Sequence, residues 1–418
     1  MNPMLEKKSF AHISPLLCLL ILTTLTSLGA EHWSRFRGPN GTGRALSSVK
    51  PSTLNKTDIV WKLDLPGKGH SSPVIWEDMI YLTSMNEGAS KFHVLAVNAS
   101  TGNITWSKEV PYQTYRKHDF NSFASPSAVV DGDRIYVSWA TPDHYFVAAM
   151  DHAGEWLWKK DLGPFKSQHG VGVSPIVFKD KLIVANDQLG KSFIIALDKA
   201  SGSIAWKTQR QSDKAAYSTP CIYEGPDGHE QLIVNSAADG ISGLDPDNGK
   251  LLWSYADAFD KRSCSSPIVA GGKVFGSCGS GGGGNYIVAI EPPNDPSVNK
   301  PKLSYEIRRS ANYVPTPVAV GDLAFFWSDG GILSCVDPST GKIHYQERVR
   351  GRYFGSPVSV DNEIICVSTT GEIVVAAASK EFKILNRVDL DAKTHTTPAF
   401  DQDSMYVRTE SQLFKFQN

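Results

Sequence analysis

Short apolar runs alternate with polar turns along almost the whole chain after residue 57, and this pattern predicts strands and no helix. A Ser-Pro or Thr-Pro pair introduces each group of runs. It precedes an apolar strand, a polar turn, a second strand, a third strand ending in Asp or Asn, and a fourth strand with an aromatic residue. The eight pairs, spaced 40 to 53 residues apart, have their prolines at Pro73, Pro126, Pro175, Pro220, Pro267, Pro317, Pro357 and Pro398. Four short strands in each period indicate the blade of a β-propeller.

The turn between the third and fourth strands carries a recurring stretch, which is clearest at Ala96–Trp106 (AVNASTGNITW). Its Asp or Asn can hydrogen-bond the turn backbone, and its Gly can take the positive φ that the turn needs. The aromatic residue that follows can bury about 150–250 Å² and so fasten its blade. We assign this blade-docking role to Trp61, Trp106, Trp158, Trp206, Trp253, Tyr305 and Tyr345. The seventh copy is degenerate, because Leu385 occupies the aromatic position.

The two ends of the repeat region complement each other. The eighth copy stops at Asn418 after its third strand, whereas Asp58–Leu65 (DIVWKLDL) is a fourth strand with no strands before it. If the N-terminal strand completes the last blade, the ring closes and leaves no open edge. We therefore predict an all-β fold over residues 58–418: an eight-bladed β-propeller of four-stranded antiparallel blades.

The first 57 residues do not follow the repeat. Lys7 and Lys8 precede an apolar run and small residues near Ala30, which predicts a cleaved signal peptide at 1–30; an uncleaved anchor is the alternative. We expect an exported, periplasmic or extracellular protein with no transmembrane segment after cleavage. Leu17 before Cys18 argues against a lipoprotein cleavage site. The preface, residues 31–57, is rich in Gly and Pro, which argues against regular structure, and its aromatic and arginine residues predict packing on the propeller body.

Charge and cysteine usage narrow the function. The formal net charge of −1 gives no electrostatic support for nucleic-acid binding. We also expect the protein to be a monomer. No CxxC or His/Cys metal spacing occurs, so no metal site is predicted; a site among His70, His118, His169 and His395 is the alternative. Neither G-x-S-x-G nor H-E-x-x-H is present. Cys264 and Cys278 flank one predicted hairpin, where they either pair or remain buried strand thiols; buried thiols are the preferred interpretation.

One mouth of the predicted channel collects basic and aromatic residues. The segments before the Ser/Thr-Pro pairs ring this mouth together with the loops between second and third strands. The candidate ligand-binding residues there are Lys68, His70, His118, His169, Tyr217, Arg262, Tyr313, Arg352, Tyr353 and His395. Such a funnel favours an anionic guest, for which a tricarboxylate quinone, an acidic peptide and an acidic glycan all qualify; ordinary solvated loops are the alternative. Asp187, Asp239 and Asp329 could bind calcium there, but turn stabilisation is preferred.

The repeat resembles the pyrroloquinoline-quinone (PQQ) repeat family, whose tryptophan-docking motif is A-x-D-x-x-T-G-x-x-x-W. The match is close at Ala96–Trp106 and Ala196–Trp206 and good at Gly243–Trp253 and Cys335–Tyr345. The resemblance implies an eight-bladed propeller from one of two branches. These are the quinoprotein dehydrogenases, which bind PQQ with calcium, and non-enzymatic propellers of the BamB type. The preface motif W-x-x-F-R-G-P-x-G-x-G is similar to that of exported propellers of planctomycete-type bacteria.

The sequence lacks residues that the dehydrogenase branch of the family uses, and this favours the non-enzymatic branch. Quinoprotein dehydrogenases use adjacent cysteines under the quinone, and this sequence has none; their calcium-binding set of Glu, Asn and Asp cannot be placed on any matching position. The prediction is a non-catalytic scaffold that binds an envelope protein or an anionic ligand, without a cofactor. The missing lipid-attachment cysteine counts against a BamB-like assembly role. The alternative is a divergent PQQ-dependent alcohol or sugar dehydrogenase with calcium.

Overall fold

The computed structural model of the chain describes residues 32–211, 214–295 and 300–418, and almost all regular structure in these ranges is β-strand. The predicted signal peptide, 1–30, lies outside the described residues. Within the described ranges, no helix has the length and apolar character needed to cross a membrane.

Each of the first seven repeats forms one antiparallel sheet whose four propeller strands pair in chain order. Blades one to four consist of Val74–Trp76, Met79–Asn86, Lys91–Asn98 and Ile104–Pro111; Val129–Val130, Ile135–Ala140, Tyr145–Met150 and Trp156–Asp161; Ile176–Phe178, Lys181–Asn186, Phe193–Asp198 and Ile204–Gln209; and Cys221–Glu224, Glu230–Ser236, Gly240–Leu244 and Leu251–Tyr255. Blades five to seven consist of Ile268–Ala270, Lys273–Cys278, Tyr286–Glu291 and Lys302–Ile307; Val318–Val320, Leu323–Trp327, Ile332–Val336 and Ile343–Arg348; and Val358–Val360, Glu363–Val367, Glu372–Ala377 and Ile384–Asp389.

The eighth blade joins the two ends of the repeat region. Its three C-terminal strands are Ala399–Phe400, Met405–Arg408 and Gln412–Phe416, and its fourth strand is Ile59–Asp64. That strand pairs antiparallel with Gln412–Phe416. The predicted eight-bladed propeller, closed by an N-terminal strand, is therefore confirmed.

A closed circle of hydrogen bonds, the axial ring, joins the eight blades at the channel. At the start of each innermost strand, a backbone N–H donates to the hydroxyl of the equivalent residue in the next blade, over 2.8–3.1 Å. In order, the members are Ser72, Ser127, Ser174, Thr219, Ser266, Thr316, Ser356 and Thr397, and all are buried. Because a buried amide without a partner is costly, each blade depends on its neighbour.

The second blade departs from the predicted register. The sequence pattern aligns Ser125-Pro126 with the other Ser/Thr-Pro pairs, but Ser127 supplies the hydroxyl and amide of the axial ring. Ser125 instead hydrogen-bonds within its own loop, to Ser122 and Asn121. The segment ahead of blade two is thus two residues longer than the pattern implies.

Aromatic residues of the fourth strands join neighbouring blades. Trp61 Nε1 donates to the Ala99 carbonyl of the next blade over 3.1 Å. The indole lies against Gly102, where an added Cβ would fall 2.6 Å from the ring. A side chain therefore has no room there, and Gly also permits the observed φ of +73°. The same arrangement recurs at Trp106 with Gly154, Trp158 with Gly202, Trp206 with Gly249 and Tyr305 with Gly341.

Two of the aromatic residues assigned to blade docking do not follow this pattern. Trp253 Nε1 donates to Gln231 Oε1 of its own blade over 2.6 Å. Tyr345 packs against Phe382, with ring centroids 5.5 Å apart, and its hydroxyl has no hydrogen-bond partner within the described ranges. In both cases the next blade lacks the tight Gly turn on which the ring would lie. Docking therefore takes another form at these two positions: Tyr345 packs on Phe382 of blade seven, and Trp253 lies in a core cluster shared with blade five.

The preface crosses the channel on the side away from the predicted mouth. Arg35 donates to the Pro220 carbonyl over 2.6 Å, and Arg37 donates to those of Pro317 and Pro357 over 2.7 and 3.1 Å. Although its composition argues against regular structure, the preface contains a strand, Arg44–Ala45, which pairs parallel with Val358–Val360 of blade seven. It also contains three 3-10 turns, Pro39–Gly41, Pro51–Thr53 and Lys56–Asp58; a fourth, Ala256–Ala258, follows blade four.

The cysteines of the described ranges are all free thiols. These are Cys221, Cys264, Cys278, Cys335 and Cys366. The disulfide between Cys264 and Cys278 that the hairpin allowed is not formed, and the preferred interpretation of buried strand thiols holds for Cys278.

The axial ring can be tested at Thr316. Replacing Thr316 by Val keeps the shape of the side chain but leaves the buried Ser266 N–H without its acceptor. We expect the thermal unfolding midpoint to fall, in line with a destabilisation of about 1–3 kcal/mol. The matched control is Thr105→Val on an exposed outer strand. Equal midpoints for the two variants would show that the hydroxyl contributes nothing to stability.

Candidate functional site

The mouth of the channel opens into a cavity of about 490 Å³, here called the funnel. Its lining includes the Ser or Thr of every Ser/Thr-Pro pair. Phe36, which also lines it, comes from the preface. Arg35 and Arg37, on either side of Phe36, donate to the carbonyls of the prolines in three of these pairs, Pro220, Pro317 and Pro357. The preface therefore closes the inner end of the funnel. The volume is that of a pocket for a small organic molecule.

Eight of the ten candidate residues line the funnel together: His70, His118, His169, Tyr217, Arg262, Tyr313, Arg352 and His395. Two do not. Lys68 lies outside it, with its side chain 68% exposed and paired with Glu410 over 3.4 Å. Tyr353 is fully buried in the wall, 5.1 Å from Trp327 between ring centroids. The proposals for Lys68 and Tyr353 were therefore wrong.

Three aromatic residues of the funnel were missed by the sequence reading. Phe36 comes from the preface, Phe120 from the loop ahead of blade two, and Phe354 from the segment ahead of blade seven. An extended chain alternates its side chains, and this rule would have placed Phe354 beside Arg352 and turned Tyr353 into the core. No comparable signal in the sequence places Phe36 in the funnel, because the path of the preface depends on the assembled ring.

Two histidine pairs lie in the wall. The rings of His70 and His395 have centroids 4.5 Å apart, and those of His118 and His169 are stacked at 4.8 Å. Burial, followed by the neighbouring His395, lowers the pKa of His70 well below its usual value, and Arg408 and Lys117 act in the same direction.

His169 and His395 are also neutral at pH 7. Burial, and then the charge of Arg262 and of His118, lowers the pKa of His169 to about 4. Burial also lowers the pKa of His395, although its hydrogen bond to the Phe120 carbonyl, 3.1 Å long, opposes the change. These imidazoles are thus polar and uncharged, and the permanent positive charge of the funnel comes from arginine.

Unpaired guanidinium groups surround the funnel. Arg262 and Arg352 line it, Arg35 and Arg37 lie beneath its floor, and Arg408 is buried behind His70. Burial lowers the pKa of Arg37 to about 9 and that of Arg35 to about 10, so both remain charged at neutral pH. Within the described ranges none of the five forms an ion pair with a carboxylate. The funnel is therefore electropositive in a chain of net charge −1.

The carboxylates considered for calcium do not assemble. Asp187 and Asp239 both face Arg210, at 3.2 and 3.3 Å, and neither lines the funnel. Asp329 does line it, but its oxygens accept the backbone N–H groups of Tyr313 and Val314. Burial raises its pKa to about 6. No cluster of three His, Cys, Asp or Glu side chains suited to a metal occurs in the described part of the chain.

The funnel also lacks an activated nucleophile in its described lining. No lining hydroxyl or thiol is hydrogen-bonded to an imidazole there. Burial raises the pKa of the Cys264 thiol to about 12, which keeps it protonated. What remains is a positively charged and partly aromatic pocket that the preface closes at its inner end.

Comparison with known proteins agrees with this architecture. The sequence profile of the PQQ-repeat family described as outer membrane protein assembly factor BamB matches residues 52–143, 113–344 and 285–411. The chain belongs to this BamB family. A curated member, the assembly factor BamB of Moranella endobia (strain PCIT), is 23% identical over 308 residues, which are 69% of this chain and 73% of that protein.

Solved structures and a second relative come from both branches of PQQ-like propellers. The crystal structure of BamB from Moraxella catarrhalis aligns with a TM-score of 0.62 at 15% identity, covering 86% of this chain and 97% of that one. A europium-containing methanol dehydrogenase aligns with a TM-score of 0.67 at 12% identity, covering 93% and 98%. The quinohemoprotein alcohol dehydrogenase ADH IIB of Pseudomonas putida is 25% identical over 167 residues, which are 39% of this chain but only 23% of that enzyme. At these identities the structural likeness establishes the fold alone.

The funnel of this BamB-family chain does not fit a calcium-bound quinone. Calcium takes six to eight oxygen ligands, including carboxylates. Asp329 is the one carboxylate that lines the funnel in the described ranges, and its oxygens already bind backbone amides. The lining thiol, Cys264, has no cysteine beside it in sequence.

The neutral histidines predict acid sensitivity. Their pKa values in the folded protein lie below the unfolded value of about 6.5, so the unfolded chain binds more protons as the pH falls. The free energy of unfolding that these neutral histidines contribute above pH 6.5 is therefore lost as the pH falls towards 4. We expect a thermal midpoint a few degrees lower at pH 5 than at pH 7, with a smaller difference in His169→Gln than in the partly exposed control His32→Gln. Equal differences in both variants would contradict the burial argument.

Proposed function

We propose that this chain is an exported, monomeric and non-catalytic propeller of the cell envelope, which binds an anionic ligand or an acidic group of an envelope protein in its funnel. The observation that carries the proposal is the set of unpaired guanidinium groups around a closed pocket. A buried cation without a counter-charge is unfavourable, and an anion in the funnel would relieve that cost.

Membership of the BamB family supports a place in the envelope. The Moranella endobia relative is described as an outer membrane protein assembly factor. The near-neutral chain gives no reason to expect nucleic acid as a partner. An electropositive funnel in such a chain would direct an acidic group to this one mouth.

The second candidate is a divergent PQQ-dependent alcohol or sugar dehydrogenase. It draws support from the similarity to the Pseudomonas putida and europium-containing enzymes. The donor set of the funnel speaks against it, since Asp329 is turned towards backbone amides. The non-catalytic proposal is therefore preferred.

A dye-linked assay separates the two candidates. Protein spanning residues 32–418 is incubated with PQQ, calcium, an artificial electron-accepting dye and a panel of alcohols and aldoses. We expect no dye reduction above the protein-free background, because the described funnel lining offers no set of carboxylates to hold the calcium. A quinoprotein dehydrogenase serves as the positive control. Saturable turnover that is abolished by Asp329→Asn would overturn the non-catalytic proposal.

A further inference from the structure

Three buried polar atoms of one funnel wall, including the Tyr217 hydroxyl, lack hydrogen-bond partners in the described ranges. In the described structure, Arg262 Nε and His169 Nδ1 are buried without a hydrogen bond. Both side chains line the funnel, and the charge of Arg262 acts on His169. Tyr217 lies between them in the chain order of the blades, with its ring edge-on to His169 at 5.8 Å. Buried polar groups are nearly always satisfied, so this wall has hydrogen-bonding capacity that the protein itself does not use.

Arg262 is better suited than Arg352 to hold an anion. Its other nitrogens are fixed, since Nη2 donates to Gln168 over 2.7 Å and Nη1 lies 3.5 Å from the Tyr313 hydroxyl. Arg262 is half-buried, whereas Arg352 is exposed to solvent. A charge–charge interaction is stronger where water is partly excluded. A carboxylate at Arg262 would therefore gain more than one at Arg352.

The opposite wall is aromatic. Phe120 reaches over the funnel from the loop ahead of blade two and meets Phe354 of blade seven, with ring centroids 5.2 Å apart. Phe354 also contacts the edge of His395 from blade eight, at 4.9 Å. Phe120 nevertheless remains 51% exposed, an unusual state for a Phe in a structured cluster. A ring bound in the funnel would cover it.

The two walls face each other across the channel. The polar wall comes from blades three to five and is centred on blade four, and the aromatic wall is centred on blade eight, which is diametrically opposite in a ring of eight. A sphere with the volume of the funnel is about 10 Å across, which suits a fused two-ring molecule with one acidic group.

We propose that the funnel is a calcium-independent receptor for an aromatic carboxylate, whose anionic group binds Arg262 and His169 and whose ring packs on Phe120 and Phe354. This inference rests on the proposed non-catalytic binding function and specifies its ligand class. The neighbouring Asp329 does not compete for Arg262, because both of its oxygens accept backbone N–H groups.

Isothermal titration calorimetry on residues 32–418 tests the proposal with two probes of the same shape. 2-Naphthoate carries the charge, and 2-naphthamide is its neutral counterpart. We expect 2-naphthoate to bind with a dissociation constant of about 0.1 mM or below, about tenfold or more tighter than the amide. The affinity should be the same in calcium and in EDTA. Equal binding of the two probes, calcium-dependent binding, or no binding of 2-naphthoate up to about 1 mM would overturn the proposal.

Substitutions then locate the two ends of the ligand. Arg262→Gln should weaken 2-naphthoate by about tenfold or more and leave the amide unchanged, whereas Arg348→Gln on an exposed outer strand should change neither. Phe120→Ser should weaken both probes, and Ile204→Ser, also on an exposed outer strand, should weaken neither. An Arg262→Gln variant that folds, as judged by its thermal midpoint, and binds 2-naphthoate like the wild type would place the anion elsewhere and refute the assignment.

The dye-linked assay and the naphthalene titrations test the non-catalytic function and the ligand class separately. Dye reduction in the enzymatic assay would refute the non-catalytic function, whatever the naphthalene probes do. If there is no dye reduction and no 2-naphthoate binding, the assignment of an aromatic carboxylate is wrong while the scaffold function stands.

Discussion

The axial ring of backbone-to-hydroxyl hydrogen bonds is the constraint on which the rest of the structure depends. Each innermost strand begins at the channel, where its first amide has no sheet partner and no access to water. A Ser or Thr from the next blade satisfies it, as Thr397 does for Ser356 and Ser72 does for Thr397, so the last blade is bonded to the first. Most of the funnel residues lie a few positions ahead of these in the sequence. The ring that holds the blades together therefore also fixes the lip of the funnel.

The N-terminal segment contributes twice to this arrangement. Its strand Ile59–Asp64 completes the eighth blade, and the preface before it crosses the channel and places Phe36 in the funnel. Arg35 and Arg37 hold that crossing by hydrogen bonds to proline carbonyls of blades four, six and seven. The same contacts leave two buried positive charges under the floor, so the segment that closes the ring also supplies part of the positive potential of the pocket.

The repeat pattern predicts the fold because it records local requirements. A Gly at the positive-φ turn and an aromatic residue beyond it are each needed within one blade, and both can be counted in the sequence. The pattern fails where the requirement lies in the neighbouring blade: Trp253 and Tyr345 have the motif but face blades without the Gly turn. It fails also at Ser127, where hydrogen bonding rather than the Pro sets the register. Most of the funnel lining can be predicted, because these residues lie just before an innermost strand. The burial of Tyr353 and the exposure of Phe354 to the funnel can be predicted only if the strand register is known. The position of Phe36 depends on the assembled ring.

Ligand binding in the electropositive funnel is the central claim. Its most direct test is a crystal structure of residues 32–418 grown with 2-naphthoate. The account predicts electron density for the naphthalene against Phe120 and Phe354, with the carboxylate at the Arg262 guanidinium and the His169 imidazole. Density for the carboxylate at Arg352, or for the naphthalene on the outer strands with an empty funnel, would contradict it.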